Sequence, residues 1–280
     1  MGMCDLTWPN TDIALAAAAA DHDIPVCLST FGSSSIEDIG KRASGNGWFQ
    51  LYVGPSIDDA MGLVQRAEDA GYEYLLLTVD VPVVSARLRE QRQGFERPFR
   101  MRPRQFLDFA VHPQWVPTGN EGNKSTFTRN KIRGHIDWQF LDRLRERWAG
   151  KLILKGVLSA DDAVRIRDAG ADAVYVSNHG GRQLDAAPAA IDVLPAIRQA
   201  VGADYPLIFD SGIRSGEGIV KALALGADFV MLGRPFLYAS GADGQRGVYR
   251  LVELLKNDLL LVLAQIGCID VSQIDHNVLA

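Results

Sequence analysis

A histidine and an arginine lie three residues apart in the stretch 176–185, which reads Val-Ser-Asn-His-Gly-Gly-Arg-Gln-Leu-Asp. A short apolar run, residues 173–176, leads into it and is typical of a buried parallel strand. The two glycines after His179 would let the backbone approach a ligand closely. An imidazole base beside the fixed cation of Arg182 suits a site that takes a proton from an anionic substrate. The alternative, equally compatible with this stretch, is a strand end closed by a hydrogen-bonded histidine.

The elements that must position these side chains alternate regularly between helix and strand. A helical segment ends near a glycine, as at Gly170 and Gly226, and a short apolar strand follows. Glycine is the usual residue after the last turn of a helix, and repeated helix–strand units predict parallel strands joined by right-handed crossovers. Seven strands are predicted, near residues 25–30, 48–53, 74–80, 152–156, 173–178, 207–212 and 229–234.

A closed barrel of such units has eight strands, one more than this count. Residues 1–3 lead directly into a loop and then into a helix that begins near Asp12, so Met1 is expected at the tail end of a first strand. We therefore predict an α/β fold, a TIM (β/α)8 barrel with an incomplete first strand, in a single domain of residues 1–280. On this hypothesis the chain lacks the N-terminal part of a larger protein and is less stable than a complete barrel.

Local signals predict where several helices begin. Ser56 and Ser159 each precede an aspartate by three residues, which is the spacing of an N-terminal capping box with aspartate in place of glutamate. Pro188 is expected at the first position of another helix. The strongly apolar tail, residues 247–266, is expected to form a core helix.

One long segment, residues of about 91–134, interrupts the pattern with prolines, arginines and a glycine-rich run. In a compact barrel, a segment of this length is typical of a lid, a binding element or a disordered stretch. Its apolar pieces, 106–111 and 115–116, fit contact with a membrane surface or a partner. Packing against the barrel's own helices is an equally favoured alternative. A regular helix resumes at about 137–148.

Charge and cysteine content exclude several classes of protein. The net charge of −5 over 280 residues gives no reason to expect nucleic-acid binding. Three scattered cysteines without metal-ligand spacing argue against a disulfide framework and against a metal site, and they favour the cytoplasm. No apolar run reaches the length of a membrane-spanning helix, about 18 residues.

Polar, charged or glycine residues stand at the carboxyl end of every predicted strand, where function gathers in a parallel barrel. Each alone has an ordinary explanation, since such residues also finish strands, cap helices and cover surfaces. A phosphate-binding pattern at the last two strand ends comprises Gly212, Arg214, Gly233 and Arg234. Groups able to hydrogen-bond a flat heterocycle are Ser29, Gln50, Thr78 and Lys155. Groups able to hold a carboxylate and take a proton are Tyr52, Arg87, His179 and Arg182. Flavin mononucleotide (FMN) beside a small anionic substrate is the simplest interpretation.

Five motifs together resemble those of the FMN-dependent α-hydroxy acid dehydrogenases and oxidases, and the likeness covers almost the whole chain. They are residues 177–185, 48–53 (Trp-Phe-Gln-Leu-Tyr-Val), 77–80 (Leu-Thr-Val-Asp), 154–156 (Leu-Lys-Gly) and 221–227 (Lys-Ala-Leu-Ala-Leu-Gly-Ala). The resemblance implies oxidation of a small L-2-hydroxy acid, of the lactate, mandelate or glycolate type, to the 2-oxo acid. Electrons would pass to the flavin and then to a quinone, a cytochrome or dioxygen.

The resemblance also implies where the protein works and how it assembles. The tail 263–268 is most similar to the membrane-associated mandelate and lactate dehydrogenases, which implies a cytoplasmic protein with peripheral contact at the inner membrane. Members of the family are often tetramers, so a homotetramer is compatible with the resemblance.

Roles for individual residues follow from the same resemblance. His179 would be the catalytic base, paired with Asp80, and Tyr52 would orient the substrate while Arg87 and Arg182 hold its carboxylate. The isoalloxazine ring would contact Ser29, Gln50, Thr78, Ser177 and Lys155, with Lys155 near N1 and O2. The ribityl chain and phosphate would contact Asp210, Gly212, Arg214, Gly233 and Arg234. The backbone of Gly2 would meet the flavin at the first strand.

The chain departs from the family in two places. Ser211 stands where relatives often have glycine, and nothing matches the family's N-terminal segment with its substrate-contacting tyrosine. Two alternatives therefore stay open. One is a different FMN- or phosphate-binding barrel enzyme, which would not need Arg87, His179 and Arg182 together. The other is a truncated remnant that binds flavin without turnover.

Overall fold

A computed structural model describes residues 1–54, 56–83, 85, 87, 92–93 and 136–279. In these residues seven strands form one curled parallel sheet, hydrogen-bonded in chain order from β1 to β7. The strands are β1 Val26–Ser29, β2 Gly47–Leu51, β3 Tyr74–Thr78, β4 Lys151–Val157, β5 Ala173–Val176, β6 Leu207–Phe209 and β7 Phe229–Val230. Each overlaps its predicted range. The predicted excursion at about 91–134 lies outside the described residues, apart from 92 and 93.

Eight α-helices accompany the strands in the described part of the chain. They are α1 Thr11–His22, α2 Ile36–Arg42, α3 Ile57–Asp69, α4 Trp138–Arg147, α5 Ala160–Asp168, α6 Ala190–Val201, α7 Gly216–Ala224 and α8 Arg234–Gln265. Both predicted serine caps are confirmed, since Ser56 and Ser159 accept the N–H of the third residue after them at 3.1 and 3.3 Å. The prediction for Pro188 is wrong, because α6 begins at Ala190. The Pro188 carbonyl instead accepts the side-chain amide of Asn178 at 3.1 Å.

Strand side chains alternate between two apolar layers, as the period of two requires. One set, including Phe49, Leu77 and Val174, packs with the helices in the main core. The other set faces the interior of the curled sheet and includes Trp48, Leu76 and Ile153. The sheet is therefore filled on both faces, as expected for parallel strands.

Aspartates at the amino ends of β5 and β7 join neighbouring strands. Asp172 accepts the backbone N–H of Leu152 in β4 at 2.9 Å, and Asp228 accepts that of Leu207 in β6 at 2.7 Å. Each aspartate also forms an ion pair with an arginine of the helix that precedes the neighbouring strand. The repeated Gly-Ala-Asp sequence thus sets the start of these strands.

The last helix does not lie in the core, contrary to the prediction for residues 247–266. Val248 and Leu263 are buried, whereas Leu254, Leu260 and Leu261 are 48, 55 and 64% exposed. Apolar residues lie on all sides of this part of α8. In the described residues α8 packs mainly against α1 and α7, which leaves these leucines open to solvent. Among the described residues no helix is both long and apolar enough to cross a membrane.

Residues 1–3 lie at the carboxyl edge of the sheet, between its first and last strands. The N–H of Met3 donates to the Phe31 carbonyl, just after β1, at 2.6 Å. The Met1 side chain lies against Gly233, just after β7. In the described residues β1 and β7 do not pair with each other. This position agrees with the predicted incomplete first strand.

Candidate active site

The candidate site lies on the inward face of the sheet, one layer beyond its apolar interior. That interior contains Trp48, Leu76, Ile153, Tyr175 and Ile208, with Cys27 packed against it. Because side chains alternate along a strand, the residues two positions further on face the same way, at or just past the strand ends. Those residues are Ser29, Gln50, Thr78, Lys155, Ser177 and Asp210. The alternation thus brings six of the predicted site residues into one layer.

A row of buried polar groups joins the ends of β1, β2 and β3. The Ser29 hydroxyl donates to Gln50 Oε1 at 3.0 Å, and Gln50 Nε2 donates to Thr78 Oγ1 at 2.8 Å. All three side chains are buried. The hydrogen bonds fix the orientation of the Gln50 amide, so this row offers a rigid polar edge.

Lys155 and Asp210 form the charged part of the layer. Lys155 Nζ donates to Ser177 Oγ at 2.9 Å and lies 3.7 Å from Asp210 Oδ2. The Tyr175 hydroxyl donates to the same carboxylate oxygen at 2.9 Å. Burial by itself would raise the pKa of Asp210, but the Lys155 cation and hydrogen bonds from three hydroxyl groups hold that pKa below its usual value. Burial raises the pKa of Tyr175 well above its usual value, so its hydroxyl stays protonated.

His179 is held between Asp80 and Tyr52. Its Nδ1 lies 3.0 and 3.2 Å from the two oxygens of Asp80, and its Nε2 lies 3.2 Å from the Tyr52 hydroxyl. An ionised carboxylate can only accept, so we assign the proton of the neutral ring to Nδ1. Nε2 is then the basic nitrogen, and Asp80 fixes the tautomer.

The loop that carries His179 has a left-handed backbone at three successive residues. The φ angles are 58° at His179, 65° at Gly180 and 73° at Gly181. Arg234 Nη2 donates to the Gly180 carbonyl at 3.0 Å, and a Cβ atom on Gly180 would collide with that guanidinium group. The two glycines therefore allow both the turn and the close approach of Arg234.

Gly156 makes room for Asp80. It interrupts the regular register between β4 and β5, as a β-bulge does, and its φ is 100°. A Cβ atom here would lie 2.5 Å from Asp80 Cγ. Glycine at this position thus lets the carboxylate reach His179 beside the inward-facing Lys155.

The two substrate-binding arginines of the prediction each follow a member of the Asp80–His179 pair in the sequence, Arg87 after Asp80 and Arg182 after His179. Arg182 ends the His179 loop, where its N–H donates to the His179 carbonyl at 3.3 Å and its side chain is exposed. Arg87 is half-buried, and its Nε donates to Ser85 Oγ at 3.3 Å.

The predicted phosphate-binding residues lie in two loops that follow paired neighbouring strands. Gly212, with φ 104°, and the exposed Arg214 lie between β6 and α7. Gly233 is the N-cap of α8 and Arg234 is its first residue, shortly after β7. Gly2 lies against Phe31 at the end of β1.

These groups fit FMN by the chemistry of their donors. A flat ring with polar edges needs a rigid row of hydrogen-bonding groups and a cation. The side chains of Ser29, Gln50 and Thr78 provide the row, and Lys155 provides the cation. A phosphate needs backbone N–H groups and arginines near a helix N-terminus. The loops at Gly212 and Gly233 have both, and no atom within 4 Å would meet a Cβ atom on Gly212.

Three residues of the site were missed by the sequence interpretation. Tyr175 binds Asp210, Gly156 accommodates Asp80, and Ser211 contacts the His179 loop. A glycine inside a strand that is followed by further strand residues is a signal for a bulge and was available for Gly156. Tyr175 is an aromatic residue within an apolar run, which gave no signal.

The chain is similar to known proteins over nearly its whole length. The family model described as FMN-dependent dehydrogenase matches residues 1–280. An (S)-mandelate dehydrogenase of Pseudomonas putida is 40% identical over 295 residues, which covers 99% of this chain and 74% of that protein. An L-lactate dehydrogenase of Pseudomonas syringae pv. syringae is 38% identical, and the match covers 100% and 78% of the two chains. An L-lactate oxidase of Alicycliphilus denitrificans is also 38% identical, with 98% and 74% covered.

Solved structures agree with these sequence matches. A mandelate oxidase structure has a TM-score of 0.86 and 36% identity, covering 99% of this chain and 76% of that one. A structure described as the monotopic membrane protein (S)-mandelate dehydrogenase has a TM-score of 0.87 and 39% identity, with 99% and 78% covered. The chain thus spans about three quarters of these relatives, and the likeness confirms the predicted barrel fold.

Proposed function

The chain belongs to the family of FMN-dependent dehydrogenases, and from that premise we propose that it oxidises a small L-2-hydroxy acid to the 2-oxo acid. The FMN cofactor of the prediction is confirmed by this membership. The proposed enzyme is one catalytic domain of residues 1–280. The observation that carries the proposal is the Asp80–His179–Tyr52 group at the carboxyl edge of the sheet.

His179 acts as the base in this proposal. Its Nε2 takes the proton from the substrate, and the carboxylate of Asp80 stabilises the imidazolium ring that results. Tyr52, whose hydroxyl already lies 3.2 Å from Nε2, orients the substrate. Arg87 and Arg182 bind the substrate carboxylate, a task that suits the planar guanidinium group.

FMN, when bound, supplies the two-electron acceptor for this reaction. Lys155, whose side chain is only 12% exposed, provides a cation that stabilises negative charge on the reduced ring. The remaining proposed contacts of the ring are Ser29, Gln50, Thr78, Ser177 and the backbone of Gly2. The proposed contacts of the ribityl chain and phosphate are Asp210, Gly212, Arg214, Gly233 and Arg234.

We further propose that the electrons leave to a quinone, a cytochrome or dioxygen. The relatives include both dehydrogenases and oxidases. We propose a cytoplasmic enzyme with peripheral contact at the inner membrane, and the likeness to a monotopic membrane protein supports the membrane contact. A homotetramer is the assembly we expect, and sedimentation velocity measures it directly.

An anaerobic reduction experiment tests the proposal. The protein is loaded with FMN, and L-lactate, (S)-mandelate and glycolate are added separately while the visible flavin absorption is followed. We expect one of them to bleach the wild-type flavin. His179→Gln should bind FMN and stay yellow, whereas the exposed control His276→Gln should bleach like the wild type. A wild-type protein that stays yellow with all three acids would support the flavin-binding remnant instead.

A further inference from the structure

We propose that Ser211 is a positioning residue whose hydroxyl group holds the backbone on both sides of His179. This inference rests on the proposed role of His179 as the base. Ser211 Oγ accepts the N–H of Asn178 at 3.2 Å and the N–H of Gly180 at 3.1 Å. It donates to Asp210 Oδ1 at 2.8 Å. We call these three hydrogen bonds the Ser211 clamp.

The clamp uses the whole hydrogen-bonding capacity of the hydroxyl group. A serine hydroxyl has one proton to donate and two lone pairs that accept. The carboxylate of Asp210 can only accept, so the proton points to Asp210. Both lone pairs then face the two amides of the loop. Any other orientation of the O–H bond would lose at least one of the three hydrogen bonds, so the hydroxyl group is fixed in one orientation.

The loop needs such support because its backbone is strained. His179 is a non-glycine residue in the left-handed region, with φ 58°, and such residues persist when surrounding contacts over-determine them. The N–H of His179 itself donates to Ser177 Oγ at 3.1 Å. Three successive backbone N–H groups, of residues 178, 179 and 180, therefore donate to two serine hydroxyls. Ser211 accepts two of these hydrogen bonds and Ser177 accepts the third.

Ser211 is itself in an unfavourable conformation. Its φ is 85°, a value that glycine adopts freely and that L side chains rarely adopt. The side chain at this position is therefore maintained against a local penalty. Its three hydrogen bonds are the compensating gain.

The clamp also connects the base to the charged layer. Asp210 binds Ser211 through Oδ1 and lies 3.7 Å from Lys155 Nζ through Oδ2. The same carboxylate therefore holds Ser211, which supports the His179 loop, and faces Lys155. Loss of the hydroxyl leaves two amides without this acceptor, and the imidazole drifts from its alignment. Small displacements of a reacting group slow catalysis strongly.

Two variants and one matched control test the clamp. Ser211→Ala removes the hydroxyl and keeps the strained Cβ, whereas Ser211→Gly removes both and relieves the strain. Ser159→Ala is the control, because the Ser159 hydroxyl likewise accepts a backbone N–H, in this case at the N-cap of α5 and away from the His179 loop. Hydrogen–deuterium exchange of peptides spanning 177–182 is measured without FMN. The rate of flavin reduction and the substrate Kd are measured anaerobically on the loaded protein.

We expect both Ser211 variants to exchange about ten-fold faster in that segment. Flavin reduction should slow by about ten-fold, with substrate Kd within about two-fold of the wild type because the arginines remain. Ser159→Ala should leave the exchange of this segment, the reduction rate and the substrate Kd unchanged.

Two results would overturn the inference. Wild-type exchange in both Ser211 variants means that the hydroxyl does not hold the loop. Faster exchange with wild-type reduction rates means that the loop does not position the base. If the wild type itself is not reduced by any 2-hydroxy acid, the proposed function fails, while the exchange data still decide whether the clamp exists.

Discussion

At the scale of single residues, the Asp80–His179 pair determines which ring nitrogen of His179 is free to act as the proposed base. In Asp80→Asn the amide N–H can donate to Nδ1, which would favour the tautomer with the proton on Nε2. We expect kcat to fall by about 10²-fold or more, since the base is then blocked. Steady-state kinetics checks this, with the exposed Asp161→Asn on α5 as the control. An Asp80→Asn enzyme with kcat close to that of the wild type would contradict the assigned tautomer.

Asp210 should make the protein sensitive to acid. Its folded-state pKa lies below the ordinary value of 3.8, because the Lys155 cation and hydroxyl donors outweigh the effect of burial. The carboxylate therefore contributes stability that is fully present above pH 3.8 and is lost as the pH falls from there through the folded-state pKa. Urea unfolding of the FMN-free protein should show a steeper decline in this window for the wild type than for Asp210→Asn. Parallel curves for the two proteins would refute this assignment.

Many of the predicted site residues lie together in the structure because the sequence signals that pointed to them are local. Gln50, Thr78 and Lys155 each follow an apolar strand residue by two positions, so alternation alone predicts a common face. The Ser211 clamp could not be found this way. Its partners, Asn178 and Gly180, come from another strand end, and only the pairing of β5 with β6 brings them together.

At the scale of elements, Asp172 and Asp228 set the start of two strand pairs and should affect stability alone. Asp172→Asn weakens the bonds to the Leu152 amide and to Arg145. Asp228→Asn likewise weakens the bonds to the Leu207 amide and to Arg198. We expect each substitution to lower the free energy of unfolding by about 1–2 kcal/mol. The rate of flavin reduction should not change, because these residues lie at the amino ends of the strands, opposite the site. Urea denaturation and anaerobic reduction measure the two effects. A slowed reduction would show that the amino edge does influence the site.

The errors at this scale have a common cause. Pro188 was expected to open a helix, but its carbonyl is used by Asn178 and α6 begins two residues later. The tail of α8 was expected in the core because it is apolar, yet in the described part of the chain it is covered mainly on the side toward α1 and α7. Both outcomes depend on which element packs nearby, and hydropathy or capping rules do not contain that information.

At the scale of the whole molecule, the candidate site takes residues from each strand or from the loop that follows it. The first and last strands of this sheet are not paired with each other in the described residues. Ser29 belongs to β1, while Arg214 and Arg234 follow β6 and β7. A cofactor that contacts both regions would join the two edges of the sheet. Ligand binding to the folded state alone stabilises it in proportion to the logarithm of the ligand concentration.

FMN should therefore stabilise this protein more than riboflavin does, since riboflavin has no phosphate for the loops at Gly212 and Gly233. At a concentration one hundred times its Kd, FMN should add about 2.7 kcal/mol to the free energy of unfolding and raise the Tm by about 5 °C or more. Riboflavin at the same concentration should give a smaller shift. Arg214→Ala should reduce the shift with FMN and leave that with riboflavin unchanged, because in the proposed arrangement its guanidinium contacts only the phosphate. Arg246→Ala, exposed on α8, is the matched control. Scanning calorimetry of the FMN-free protein with each ligand measures these shifts. Equal shifts with the two ligands would place the phosphate outside the arginine loops and contradict the proposed arrangement of the site.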